Sequence, residues 1–169
     1  MLEFPIQIPR FLPPGFLQDY WQQRPCLLRQ AFPGLEDLLS PEELAGLACE
    51  SEFESRLVSE HAEAPQWRVE HGPFDEQRFL SLPEKDWTLL VQDVDKHIPE
   101  VAELLKPFRF VPDWRLDDIM ISYAVENGSV GPHWDDYDVF LIQASGRRRW
   151  SLDTQPISAG NVVPGLDLR

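Results

Sequence analysis

The feature that most constrains this chain is a run of extended-chain patterning between Asp117 and Ile142. From Asp117 to Val125 the side chains alternate with a period of two. That places Asp118, Met120, Ser122 and Ala124 on one strand face and Ile119, Ile121 and Tyr123 on the other. A carboxylate, a thioether and a hydroxyl on one face suggest the lining of a pocket, although an exposed sheet face explains the same pattern almost as well. Glu126-Asn127-Gly128-Ser129 is a turn. Beyond it comes Gly131-Pro132-His133-Trp134-Asp135. On extended chain His133 and Asp135 point the same way and Trp134 the other way, so two neighbouring ligands can occupy adjacent positions on one metal. An imidazole with a carboxylate suits non-haem Fe(II), provided a second histidine arrives from elsewhere. His-x-Asp alone is a common tripeptide, and its setting gives it weight. Val139 to Ile142 is apolar on both faces, as for a strand inside a sandwich or barrel. Gly146 turns the chain, and Arg147 to Leu152 reads as the returning hairpin strand, with Arg148 and Trp150 on one face. If that face is interior, Arg148 needs an anionic partner, and a dicarboxylate would satisfy the guanidinium fork.

Upstream, Phe16 to Trp21 reads as a short helix ended before Pro25, and Cys26 to Arg29 as a short strand. Ser40, Pro41 and Glu43 form a helix start with a capping box, and the helix should run to about Cys49. Ser55 to Glu60 and Gln66 to His71 are candidate strands around a turn containing Pro65. Pro83 to Lys106 has helical periodicity, broken at Pro99, with Leu89, Leu90, Val94, Ile98, Val101 and Leu105 as its buried stripe. His61, His71 and His97 read as surface or hydrogen-bonded residues. No element is predicted from Pro156 to Arg169.

A length of 169 residues with 43% hydrophobic residues fits one globular domain with its own core. The formal charge of -14 excludes a general phosphate-binding surface, hence DNA, and favours a basic protein partner. Cys26 and Cys49 have neither metal-ligand spacing nor the density of a disulfide framework. With no signal-peptide pattern at Met1 to Pro5 and no stretch of membrane-spanning length, the expected location is the cytoplasm.

Taken together, these segments resemble the bacterial JmjC-type ribosomal oxygenases of the cupin superfamily. The resemblance is carried by Phe16 to Pro25, Ser40 to Ala48, Glu54 to Ser59, His71 to Phe74, Pro112 to Arg115, Gly131 to Asp135, Tyr137 to Phe140 and Gly146 to Trp150. It implies an α+β fold in which N-terminal helices and strands lead into a double-stranded β-helix, a jelly-roll barrel left incomplete here. It also implies that residues 1–169 are the N-terminal part of such a domain, without the later barrel strands, dimerisation region and winged-helix-like domain. By the same resemblance the enzyme is a dioxygenase using Fe(II), 2-oxoglutarate and molecular oxygen to hydroxylate an arginine of a basic large-subunit ribosomal protein. His133 and Asp135 match iron ligands, and Arg148, with Ser122 as a further candidate, matches the cosubstrate-binding position. Asp118, Met120 and Tyr137 are candidates for contacting the substrate side chain, Asp118 as the partner of its guanidinium. The complete protein is expected to be a homodimer, and the exposed strand edges of this part predict self-association. The alternative is a non-catalytic cupin-like interaction module in which His133 and Asp135 are structural leftovers.

Overall fold

The computed structural model describes residues 9–35, 38–61 and 66–152. Its frame is one antiparallel sheet in the order β2-β1-β3-β4, built from β1 (Ser55–His61), β2 (Gln66–His71), β3 (Trp87–Val91) and β4 (Ile121–Ala124). Helices α1 (Phe16–Asp19), α2 (Pro41–Leu47), α3 (Glu76–Leu80), α4 (Val94–His97) and α5 (Pro99–Ala102) are short, and two 3-10 turns follow at Glu103–Phe108 and Asp113–Arg115. The architecture is α+β with an open sheet.

Strand register sorts the side chains into two faces. Leu57, Leu89 and Tyr123 lie in one row across β1, β3 and β4, and Ser55, Val91 and Ile121 in the next. This first face meets α2, α4 and α5, forming a core of Leu44, Ala48, Phe53, Leu57, Leu89, Val91, Val94 and Val101. The second face carries Arg56, Val58, Thr88, Leu90, Ser122 and Ala124. Its central residues Arg56, Val58, Thr88 and Leu90 are also buried. The middle of the sheet is therefore covered on both sides.

The helix start at Ser40 forms as its sequence dictates: Ser40 Oγ accepts from the Glu43 N–H, and the Glu43 carboxylate accepts from the Ser40 N–H at 2.8 Å. The helix closes at Leu47, two residues before the expected Cys49. The hairpin of β1 and β2 also forms in the expected strands.

Five expectations are corrected. The stretch predicted as a helix from Pro83 contains β3, so Leu89 and Leu90 belong to a central strand; only Val94 and the residues after it are helical. Asp93, in left-handed backbone at φ 58°, makes the break between strand and helix. Cys26 to Arg29 is not a strand, and β4 is shorter than Asp117 to Val125. Val139 to Ile142 and Arg147 to Leu152 form neither an interior strand nor a hairpin: Val139, Leu141 and Ile142 are exposed, and no neighbouring strand pairs with them among the described residues. Phe140 is anchored, 4.6 Å from Phe108 and 5.7 Å from Trp21 between ring centroids. Pro156 to Arg169 lies outside the described residues.

Candidate active site

The His-x-Asp segment is laid over the second face of the sheet. Gly131 adopts φ +77°, and a Cβ there would sit 3.1 Å from the Trp67 indole. Glycine is what permits both the left-handed turn and the close approach to β2. The next two odd positions then project together. His133 Nε2 stands 3.9 Å from Asp135 Oδ2. The other ring nitrogen, Nδ1, donates to the Gly131 carbonyl at 2.9 Å. A carbonyl can only accept, so Nδ1 carries a proton and Nε2 is the ring nitrogen turned toward the carboxylate. Adjacent donors on an octahedral ion with bonds of about 2.1 Å lie about 3.0 Å apart, so the pair at 3.9 Å must draw together to share one metal. The donor chemistry itself fits two positions of a hard or borderline divalent metal. No group of three or more His, Cys, Asp or Glu residues able to hold a metal occurs among the described residues.

The entrance to β4 is fixed by a clamp from the start of α4. Asp118 Oδ2 accepts from the Asp93 N–H at 2.9 Å, Asp95 Oδ1 accepts from the Ile119 N–H at 2.6 Å, and the Val94 N–H donates to the Ile119 carbonyl at 3.1 Å. Burial pushes the Asp118 carboxyl above the usual carboxylate range; the Asp93 N–H opposes the shift, and the charges of Asp93, Asp117 and Asp95 add to it. Asp118 therefore faces α4 through one oxygen, not free into a pocket as strand alternation alone would place it. Tyr137 is 61% exposed. Its phenol is nonetheless raised, first by partial burial and then by the carboxylates of Asp135, Asp117 and Asp118, with Arg56 opposing. These charges gather around one end of the second face.

The raised Asp118 carboxyl gives a pH prediction. The folded state holds its proton more tightly than the unfolded state, so this group's contribution favours folding at low pH and is lost as pH rises through the folded value. Asp118→Asn keeps an oxygen for the Asp93 N–H and removes that loss. At neutral pH the variant is expected to match or exceed the parent in thermal midpoint, with a flatter midpoint profile on the mildly acidic side; a large neutral-pH drop is the contrary result.

Arg148 lies elsewhere. Its Nη2 donates to the Gly128 carbonyl at 3.2 Å, and its guanidinium stands 5.7 Å above the Trp150 ring. Its partner is a carbonyl oxygen and an aromatic face, and no pairing with an anion is made among the described residues. Gly128 is fixed in turn because a Cβ there would fall on the Trp87 carbonyl. Ser122 and Met120 are exposed on the site side of β4 and its approach. Sequence reasoning missed Arg56, Gln92 and Trp67. The signal available was Arg56 at the same strand parity as the apolar Val58.

Among the described residues, an open antiparallel sheet backed by helices carries the His-x-Asp segment across its second face. Residues 103–164 match the JmjC domain family. In sequence and backbone, the chain is similar along most of its length to the bacterial ribosomal oxygenases. It is 53% identical over 139 residues to the ribosomal protein uL16 3-hydroxylase of Escherichia coli, covering 82% of this chain and 36% of that protein. To a probable ribosomal oxygenase of Haemophilus influenzae it is 41% identical over 157 residues, covering 93% of this chain and 38% of that protein. The E. coli ribosomal oxygenase YcfD matches with a TM-score of 0.70 at 48% identity, over 77% of this chain and 35% of that one. YcfD in complex with cobalt and 2-oxoglutarate matches with a TM-score of 0.68 at 50% identity, over 73% and 33%. The chain thus spans about a third of the length of these relatives.

Proposed function

We propose that the protein carrying this chain is an Fe(II)- and 2-oxoglutarate-dependent hydroxylase acting on an arginine side chain of a large-subunit ribosomal protein. One observation carries the reading: a His133 ring whose Nε2 is held free beside Asp135, in a chain 53% identical to a uL16 hydroxylase. His133 and Asp135 would hold the iron, with a third ligand from outside the described residues. Arg148 would exchange the Gly128 carbonyl for the distal carboxylate of 2-oxoglutarate, which its planar fork fits better. Ser122 would support the same group. When bound, iron, 2-oxoglutarate and oxygen together supply an oxidant able to hydroxylate an unactivated C–H bond.

The remaining residues handle the substrate. Asp117, Asp118 and Asp135 raise the negative potential at the end of the face where Tyr137 lies, and a substrate guanidinium would find charge complementarity there. Asp118, with one oxygen on Asp93, keeps the other for that guanidinium. Met120 and Tyr137 would flank its aliphatic stem and fix the C–H bond near the metal. The overall charge of -14 suits a basic ribosomal partner, met in the cytoplasm. We also propose that the complete protein extends residues 1–169 into a closed barrel and a homodimer.

The test is iron-dependent turnover of carboxyl-labelled 2-oxoglutarate with a basic uL16-type peptide, followed by mass analysis of the peptide. One oxygen atom gained on an arginine, dependent on iron and 2-oxoglutarate, is the expected result. Turnover that never modifies arginine would overturn the substrate assignment; no iron-dependent turnover would overturn the enzyme assignment.

A further inference from the structure

Two buried polar atoms on the second face of the sheet have no hydrogen-bond partner among the described residues: Arg56 Nε and Thr88 Oγ1. Arg56 is 4% exposed and Thr88 0%. The strand register places them together. Arg56 stands opposite Leu90, which stands opposite Ser122; Thr88 stands opposite Val58 on one side and Ala124 on the other. Arg56, Thr88 and Ser122 therefore surround Leu90 on one face. Arg56 Nη2 donates to Gln92 Oε1 at 2.6 Å, which orients the guanidinium and leaves its Nε–H without an acceptor.

Burying an N–H and an O–H without acceptors opposes folding, and valine in place of Thr88 would avoid part of that cost. A buried guanidinium also calls for nearby negative charge. The hydrogen-bond partner of Arg56 is the neutral Gln92, and no carboxylate pairs with it among the described residues. An oriented guanidinium N–H and a threonine hydroxyl, beside an exposed serine hydroxyl, suit an oxygen anion. The need for charge selects a carboxylate over a peptide carbonyl.

We propose that Arg56 and Thr88 bind a carboxylate group of a small anionic ligand on this face, with Ser122 completing the donor set. The inference rests on the reading of the face as the cosubstrate side. It adds two binding residues from β1 and β3, outside the His-x-Asp segment and the Arg148 region.

The test uses the metal-free chain and succinate as the probe, with calorimetry and nitrogen-edited NMR of the Arg56 Nε–H, assigned with Arg56→Lys. Succinate is expected to shift that resonance saturably. Thr88→Val is expected to raise the thermal midpoint without ligand and to weaken succinate at least tenfold. A purely structural Thr88 would not lower affinity while raising stability. Unchanged affinity in Thr88→Val and Arg56→Lys overturns the proposal, as does an absence of saturable binding to the parent chain. If the basic peptide, and not succinate, moves the Nε–H, the acceptor is a peptide carbonyl and the proposal fails. Succinate binding lost in Arg148→Ala but kept in both other variants removes this inference and leaves the oxygenase reading standing.

Discussion

Replacing His133 with alanine is expected to lower the affinity of the chain for Fe(II), or for Mn(II) as an air-stable substitute, by more than about 100-fold. Loss of an outer-shell partner already costs metal sites about 10- to 100-fold, and His133 is proposed as a direct ligand. The fold should not change, because the ring is partly exposed and its hydrogen bond is local, to the Gly131 carbonyl. Such surface substitutions stay within about 0.5 kcal/mol of the parent. His97→Ala is the control: that ring is exposed, packs 4.4 Å from Phe53, and is remote from the metal pair in the proposed scheme. Equal metal affinity in the parent and in His133→Ala, measured by calorimetry with unaltered thermal midpoints, would remove His133 from the site.

Leu89→Ala is expected to destabilise the fold by about 2–5 kcal/mol, the range for emptying a buried leucine site in a packed core. Leu89 is 1% exposed and lies between Leu57 and Tyr123 in the central row of the sheet. Its removal leaves a cavity bounded by two strands and by the helices beyond them, where collapse would have to move several elements at once. Against a typical total stability of about 5–15 kcal/mol, that loss is a large fraction. Urea unfolding gives the number directly, and Leu80→Ala, at an 88% exposed position, is the control. A cost for Leu89→Ala no greater than that of Leu80→Ala would contradict the central position of β3.

These two residues also mark what the sequence made legible. The shared direction of His133 and Asp135 could be proposed from two-residue spacing because a short extended segment fixes side-chain direction locally. The capping box at Ser40 was readable for the same reason: all of its atoms lie within four residues. Leu89 and Leu90 misled because β3 is buried on both faces, and a short run of apolar residues then carries no period that separates strand from helix. Val139 to Ile142 misled differently. Its residues suit a strand, but a strand also needs a neighbour, and local composition does not encode one. Asp118 escaped strand alternation because the backbone N–H of Asp93, twenty-five residues away in sequence, captures its carboxylate. Arg56 was not legible because a charged residue in a short strand ordinarily faces solvent, and its burial depends on the distant pairing of β1 with β3.

The anchoring of Phe140 has a further consequence. On the path from Asp135 to Leu152, the hydrophobic attachment runs through this one ring, seated among Phe16, Trp21, Phe108 and Phe110, with Gln22 holding Asp138 at 2.9 Å nearby. The segment bearing His133 and Asp135 is therefore expected to open on its own, held by this aromatic seat and by the Arg148–Gly128 and Gln22–Asp138 bonds, while the sheet beneath is expected to open with global unfolding. Amide exchange should resolve the two as separate cooperative units. In that hierarchy α1, far from His133 and Asp135 in sequence, is expected to help set how long their segment stays closed.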